Sequence, residues 1–229
     1  MNEFAIVDLS SFYLDVLKDR MYTFAPTSLA RRSAQTVLWK ITEALVRLVA
    51  PVMSFTADEV WEYLPAVEGR PISVHLALFP RPEQVFASDP RPVLEEWKQL
   101  FAVRDEVLRA IETERKAGNI GKGLGARVDV LGNSQDAAFL RRFSPETLQE
   151  VFNVSEVRLV LARGVESENG LPAPVSVVAF AASGVKCNRC WRYTNDTSSY
   201  GAWENVCRRC QSALHEMKIE PPKESEAVA

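Results

Sequence analysis

The chain has 229 residues, 47% of them hydrophobic, enough to build a core in one large or two modest domains. A net charge of −3 excludes a global basic field that draws in nucleic acid, so any such binding rests on local patches. No apolar run approaches the roughly 20 residues that span a bilayer, and Met1 to Asp8 carries acids instead of a basic secretory start.

In chain order, the first 117 residues read as helical. Asp8 or Ser10 is placed to cap a helix whose apolar residues Leu9, Phe12, Tyr13, Val16 and Leu17 recur at helical spacing, followed by the charged run Lys18-Asp19-Arg20. From about Leu29, the residues Ala34, Val37, Leu38, Ile41, Leu45, Leu48 and Val49 form a long stripe that Pro51 stops. Thr56-Ala-Asp-Glu59 has the pattern of a capping box for a short helix carrying Val60, Trp61 and Leu64. Pro65, Pro71, Pro80, Pro82, Pro90 and Pro92 then mark a connecting loop. Leu94, Trp97, Leu100, Phe101, Val107, Leu108 and Ile111 predict a last long helix ending near Gly118. Helices of this kind bury their stripes on one another, which predicts an antiparallel bundle.

The character changes at Gly118. Val128 to Leu131, Val157 to Leu161 and Val175 to Phe180 are β-branched runs, with two short helices, Ser134 to Phe143 and Ser144 to Phe152, between the first two. This predicts a small α+β unit in which Asn169-Gly170 turns a hairpin joining the last two strands. The tail from Pro221 to Ala229, rich in charge, is expected to be disordered. Gly118-Asn-Ile-Gly121-Lys-Gly123-Leu-Gly125 fails both phosphate-loop templates: Lys122 precedes its glycine, and a helix rather than a strand leads in. It reads as a helix stop and turn, with Lys122 available to a phosphate backbone.

The four cysteines of the chain stand as Cys187-x2-Cys190 and Cys207-x2-Cys210. Two residues between cysteines let a tight turn aim both thiolates at one point, and sixteen between the pairs suffice for a hairpin that brings a second turn opposite the first. Four thiolates close a tetrahedral zinc shell at about 2.3 Å with no position for water, which argues for a structural ion and against hydrolysis. Two disulfides or a redox-active pair are the competing readings, and His215 is a spare ligand. The segment between residues 183 and 217 is poor in aliphatic side chains, so the metal has to supply its stability. It is also locally basic: Lys186, Arg189, Arg192, Arg208 and Arg209 oppose Asp196, Glu204 and Glu216, a net of +2.

Histidine-based catalysis lacks partners, since His75 and His215 are the only histidines. Glu112 and Glu114 beside Arg115 and Lys116 read as a solvated helix face. From its residues the chain is a binding module. Lys18, Arg20, Arg31, Arg32 and Arg47 are placed to touch phosphates, and Phe12, Tyr22 and Trp39 to stack on splayed bases, although ion pairing and burial explain them equally well. Trp191, between Cys190 and Arg192, has little core to enter on a metal knuckle; it stacks on a base or packs at a domain junction.

These motifs together resemble one family, the C-terminal part of bacterial-type isoleucyl-tRNA synthetase, over almost the whole chain. Leu9-Ser-Ser-Phe-Tyr-Leu-Asp15 with Lys18-Asp-Arg20, Arg32-Ser-Ala-Gln-Thr36, Ala50-Pro51 and Phe55-Thr-Ala-Asp-Glu-Val-Trp61 look like the helical anticodon-binding domain of class Ia synthetases. Ser73-Val-His75 with Phe79-Pro80 is similar to the loop that follows it, and Arg104 to Ala126 to the last bundle helix and its exit. Lys186-Cys-Asn-Arg-Cys-Trp191 and Cys207-Arg-Arg-Cys210 resemble the terminal zinc finger. The pattern departs at Gly123 and Gly125, where the family more usually carries a serine and an acid, which predicts a looser turn.

The resemblance implies a mainly α fold: an anticodon-binding antiparallel helical bundle over 1–117, a small α+β junction unit over 118–182, a four-cysteine zinc ribbon or knuckle over 183–217 and a disordered tail over 218–229. It implies one structural zinc ion on Cys187, Cys190, Cys207 and Cys210, with isoleucine tRNA contacted by Lys18, Arg20, Lys122, Trp191 and Arg192. Partners are that tRNA and the remainder of the synthetase, with no membrane and no DNA, in the cytoplasm. The ATP signatures His-Ile-Gly-His and Lys-Met-Ser-Lys-Ser are absent from the sequence. The chain alone is therefore not expected to activate isoleucine, ATP belonging to the missing catalytic core. The alternative is a zinc-stapled protein-interaction module that docks on a separate catalytic subunit.

Overall fold

A computed structural model of the chain describes residues 1–86, 88–161 and 175–220. These form two compact units, one of Met1–Pro26 with Glu95–Ala229 and one of Thr27–Leu94. The architecture is mainly α with small sheets, and no described helix is long and apolar enough to cross a membrane.

The first helix begins earlier than the pattern predicts. Phe4–Tyr13 winds with the wider π-type spacing, Leu14 N–H bonding Leu9 O, and runs into α1 (Leu14–Thr23). Asp8 and Ser10 therefore sit inside it and cap nothing; the Ser10 and Ser11 hydroxyls donate back to the Ala5 and Ile6 carbonyls, each at 2.7 Å.

In the Thr27–Leu94 unit, α2 (Leu29–Val49) is capped by Ser28, whose hydroxyl accepts the Arg31 N–H at 3.1 Å, and it stops just before Pro51. Helix α3 (Ser54–Tyr63) also starts early. Met53 stands at its N-cap, so Thr56-Ala-Asp-Glu59 lies within the helix and is not a capping box. Asp58 turns outward instead, accepting the Ser73 hydroxyl at 2.6 Å and the Val74 N–H at 3.2 Å. Trp61 is buried with Val46, Ala50, Ala57 and Val74, its indole N–H on the Pro71 carbonyl at 2.9 Å. The proline-rich stretch that follows holds a short turn at Val74–Leu76 and the single turn α4 (Pro82–Val85).

Helix α5 (Arg91–Lys116) buries Leu100, Val103, Val107 and Ile111 along one face. Beyond it the chain forms β1 (Ala126–Gly132), α6 (Ser134–Leu140), α7 (Pro145–Phe152), β2 (Glu156–Leu161) and β3 (Ser176–Ala181). Asn133 caps α6 reciprocally with Asp136, Ser144 caps α7 through Thr147 N–H, and Asn153 ends α7 in the left-handed region at φ 55°.

The sheet order is β2-β1-β3. The α6–α7 crossover returns β2 parallel to β1, Arg127 opposite Glu156, and leaves the other edge of β1 to antiparallel β3, Ala126 opposite Ala181. The last two strands thus flank β1 and do not form the expected hairpin; Asn169-Gly170, like the tail from Pro221, lies outside the described residues. Val128, Val130, Leu140, Leu148, Val151 and Phe152 join the buried face of α5 in one core. Phe12 packs against that core, edge-on to Phe101 at 4.7 Å, so it is unavailable for base stacking.

The cysteine segment follows as β4 (Val185–Lys186) paired with β5 (Tyr193–Thr194), β6 (Thr197–Tyr200) paired with β7 (Trp203–Cys207), and α8 (Arg208–Glu216). Gly184 precedes it at φ 90°, with a Cβ excluded by the Thr194 carbonyl oxygen 2.5 Å away.

Candidate metal centre and nucleic-acid interface

Cys187 and Cys190 sit on the knuckle between β4 and β5, closed by Cys187 N–H on Arg192 O at 2.8 Å and Trp191 N–H on Cys187 O at 2.9 Å. The second pair does not sit on a matching turn. Cys207 is the N-cap of α8 and Cys210 lies in its first turn, where three-residue spacing on a helix also puts two side chains on one face. Asn188 ties the halves together, its N–H on Asn205 O at 2.9 Å and its side chain on Glu204 O at 2.8 Å.

All four thiols are free and buried, and their sulfur atoms lie within 4.8 Å of one another. A tetrahedral shell with metal–sulfur bonds of about 2.3 Å requires sulfur pairs about 3.8 Å apart; Cys190 and Cys207 stand at 3.8 Å. Hydrogen bonds from Cys190, Cys207 and Cys210 pull the Cys187 thiol down, whereas those from Cys187, Cys190 and Cys207 push the Cys210 thiol up. Four thiolates this close need a shared cation, and the donor set fits a soft or borderline metal ion with no open ligand position. Val206 and Leu214 are the aliphatic side chains buried against the cluster, flanked by Tyr200, Trp203 and Met217.

Beside the cluster, a cleft of about 670 Å³ is lined by one face of α1 from Asp15 to Thr23, the Lys122–Leu124 turn, the end of α7 and the first knuckle. It brings together Lys18, Lys122, Trp191 and Arg192 from the five residues named in the sequence, and adds Tyr22, Asn153 and Arg189. Trp191 is 57% exposed at φ 64°, with the Lys186 ammonium 5.6 Å from its ring centroid. Lys122 is exposed, and Lys18 is exposed with a 2.7 Å bond to Asp15. Arg192 lies deeper, bonded to Asp19 at 3.0 Å and to Val154 O at 2.9 Å. Arg20 does not line the cleft; its guanidinium pairs with buried Glu150 on α7, Nε to Oε2 2.8 Å. The turn carrying Lys122 is tight, not loose: at Gly123 a Cβ would stand 2.9 Å from the Asn153 carbonyl oxygen, and Gly125 N–H bonds Lys122 O at 2.8 Å. In the other unit Arg47 is occupied by Glu43 at 2.7 Å and by Leu78 O at 3.0 Å.

A family profile described as the anticodon-binding domain of tRNA ligase matches residues 1–130. The chain belongs to this anticodon-binding family. It is also similar to isoleucine–tRNA ligases: 38% identical over 95% of its length to that of Moorella thermoacetica, 41% over 96% to that of Aquifex aeolicus, and 41% over 90% to that of Actinobacillus pleuropneumoniae serotype 5b. The chain spans 22–23% of the length of these relatives.

For a member of the anticodon-binding family, what sequence reasoning misses is Asp19 as the partner of Arg192 and Arg209, which it reads as an RNA contact and as part of a basic patch. Arg189 donates to the Thr23 carbonyl and, at 3.3 Å, to Tyr22 O. Arg209 grips Asp19 with both terminal nitrogens at 2.8 Å and lies over Phe24 at 4.4 Å. A signal was present, arginines recurring inside the ligand turns, but nothing local pointed to partners more than 160 residues away.

Proposed function

We propose that the chain is the tRNA-binding region of an isoleucine–tRNA ligase. Helices within 1–117 and a zinc finger over 183–217, joined through the unit at 118–182, hold isoleucine tRNA for ATP-dependent aminoacylation by a catalytic core outside this sequence, in the cytoplasm. Zinc on Cys187, Cys190, Cys207 and Cys210 is structural. Lys18, Lys122 and Trp191 present charge and an aromatic face to the RNA; Arg20 and Arg192 contribute by fixing the walls of the cleft.

Trp191 is the observation that carries this reading. A left-handed backbone costs a bulky residue about 1–2 kcal/mol, glycine would adopt it freely, and the indole still stands in solvent. An exposed aromatic side chain on a turn that disfavours it is suited to a contact outside the fold. Replacing it sharpens the point: Trp191→Gly is expected to hold or raise the thermal midpoint while weakening RNA binding by about 1–3 kcal/mol, the worth of one stacked base. A lower midpoint with unchanged binding would assign Trp191 to packing.

Filter binding of isoleucine tRNA over a salt series tests the whole. The logarithm of the binding constant is expected to fall linearly with the logarithm of salt, with a slope of about −0.7 to −0.9 per phosphate contact. No preference for isoleucine tRNA over other tRNAs at any salt would remove the specific claim.

A second reading has its own support. Val52, Phe55, Tyr63 and Ile72 of the Thr27–Leu94 unit are 83–93% exposed, more apolar surface than a polyanion requires, and suited to docking on the remainder of a synthetase. Pull-down of that catalytic portion with and without nuclease separates protein docking from a bridge through RNA.

A further inference from the structure

Three arginines interleaved with the four cysteines converge on the last turn of α1. Arg189 donates to the Tyr22 and Thr23 carbonyls, Arg192 to one Asp19 oxygen at 3.0 Å, and Arg209 to both Asp19 oxygens at 2.8 Å. Helix carbonyls and an acid at a C-terminus are where cations bind well, and bidentate arginine–carboxylate pairing fixes direction as well as distance. The Thr23 hydroxyl completes the shell around Asp19. Asp19 and Arg192 side chains are 14% and 13% exposed. Burial alone would raise the Asp19 carboxyl, but bonds from Arg209 and Thr23 and the charge of Arg192 hold it below the usual carboxylate range.

We propose that Asp19 is a positioning residue of the RNA-binding cleft: clasped by Arg192 and Arg209, its carboxylate registers the metal finger against α1, so that Trp191 lines one cleft with Lys18 and Lys122. The inference rests on the tRNA-binding reading above. Asp19 lines the cleft, but both its carboxylate oxygens are taken by Arg192 and Arg209. The knuckle has short strands and little core of its own, so its direction relative to α1 is set by these charge-assisted bonds. Arg192 carries the restraint directly, being the neighbour of Trp191 in the chain and bonded also to Val154 O beyond α7.

The sign of the effect separates this role from a bystander's. An acid beside a site for a polyanion opposes binding by simple Coulomb repulsion, so neutralising a bystander tightens RNA binding and frees two arginines for phosphates. A positioning residue does the reverse. In the full chain with zinc bound, Asp19→Asn is expected to weaken isoleucine tRNA binding about tenfold, within the usual range for coupled sites, with metal stoichiometry unchanged. On a Trp191→Gly background the same substitution is expected to cost little more, since the group it positions is already gone. Unchanged or tighter binding by Asp19→Asn, or losses that simply add in the double variant, would overturn the proposal. Should Asp19→Asn shed its metal, Asp19→Glu decides in its place: it keeps the charge but moves the carboxylate by one methylene, and wild-type affinity there would overturn the proposal equally. Failure of the wild-type chain to bind tRNA would be a failure of the underlying reading, visible before any variant is made.

Discussion

Removing the metal, by chelation or by Cys190→Ser, is expected to unfold residues 183–217 while the sheet and α5 stay folded. The reason lies in what the segment buries. Apart from the cysteines, its shielded side chains amount to Val206, Ala213 and Leu214, with Tyr200, Trp203 and Met217 half-covered. Strands of two to five residues and one short helix do not persist on that core. A closed thiolate site contributes about 10–16 kcal/mol of apparent binding energy at neutral pH, larger than any other single contribution in this part of the chain. Its loss spreads to α1, because Asp19 and the end of the helix lose both the Arg192 and Arg209 clasp and the finger that covers them. Hydrogen exchange read by mass spectrometry should show protection vanish across 183–217 and weaken near Asp19, with β1 unchanged. Full protection of the segment after quantitative metal removal would refute the assignment, as would unchanged metal stoichiometry in Cys190→Ser.

The second large effect is expected at Glu150. Its carboxylate is 7% exposed and accepts the Arg20 guanidinium, joining α1 to α7. Glu150→Ala removes the acceptor and leaves the cation stranded, which costs about 3–5 kcal/mol for a fully buried pair; with Arg20 28% exposed and able to reach water, the lower end applies. Replacing both partners with apolar residues, Arg20→Met with Glu150→Leu, should recover much of the loss, since the pair's own net worth is small. Urea unfolding measures both. A single variant as stable as the wild type would mean that the pair is solvated and the two helices are held by packing alone.

What the sequence disclosed, and what it withheld, follows from range. Periodicity is local, so the helices α2 and α5, the two short helices after β1 and the cysteine cluster could all be read directly, although Val37 and Leu48 of the expected α2 stripe are exposed and Val46 is buried in their place. Caps were misread where the helix started before the pattern: Thr56 and Glu59 match a capping box but lie within a helix that began at Ser54, and Ser10 matches an N-cap but lies within a helix that started at Phe4. Strand pairing was misread because Val175 to Phe180 carries no mark of which edge it will choose, and the α6–α7 crossover decided it. Basic residues were the least legible. Lys18, Arg20 and Arg192 look alike in sequence, yet one is solvated, one holds α7 and one holds Asp19. Only partners 130 and 173 residues away distinguish them.

That distance has a consequence during synthesis. Arg209 is translated 190 residues after Asp19, so α1 leaves the ribosome well before the arginines that clasp its acid have been made. The Thr27–Leu94 unit, contiguous in sequence, can fold meanwhile, whereas the unit containing α1 has to wait for its far end. A ribosome stalled just short of Cys207 should therefore expose a protease-sensitive α1 beside an already resistant α2–α3 pair, and release of the finger would be the event that completes the contacts of α1.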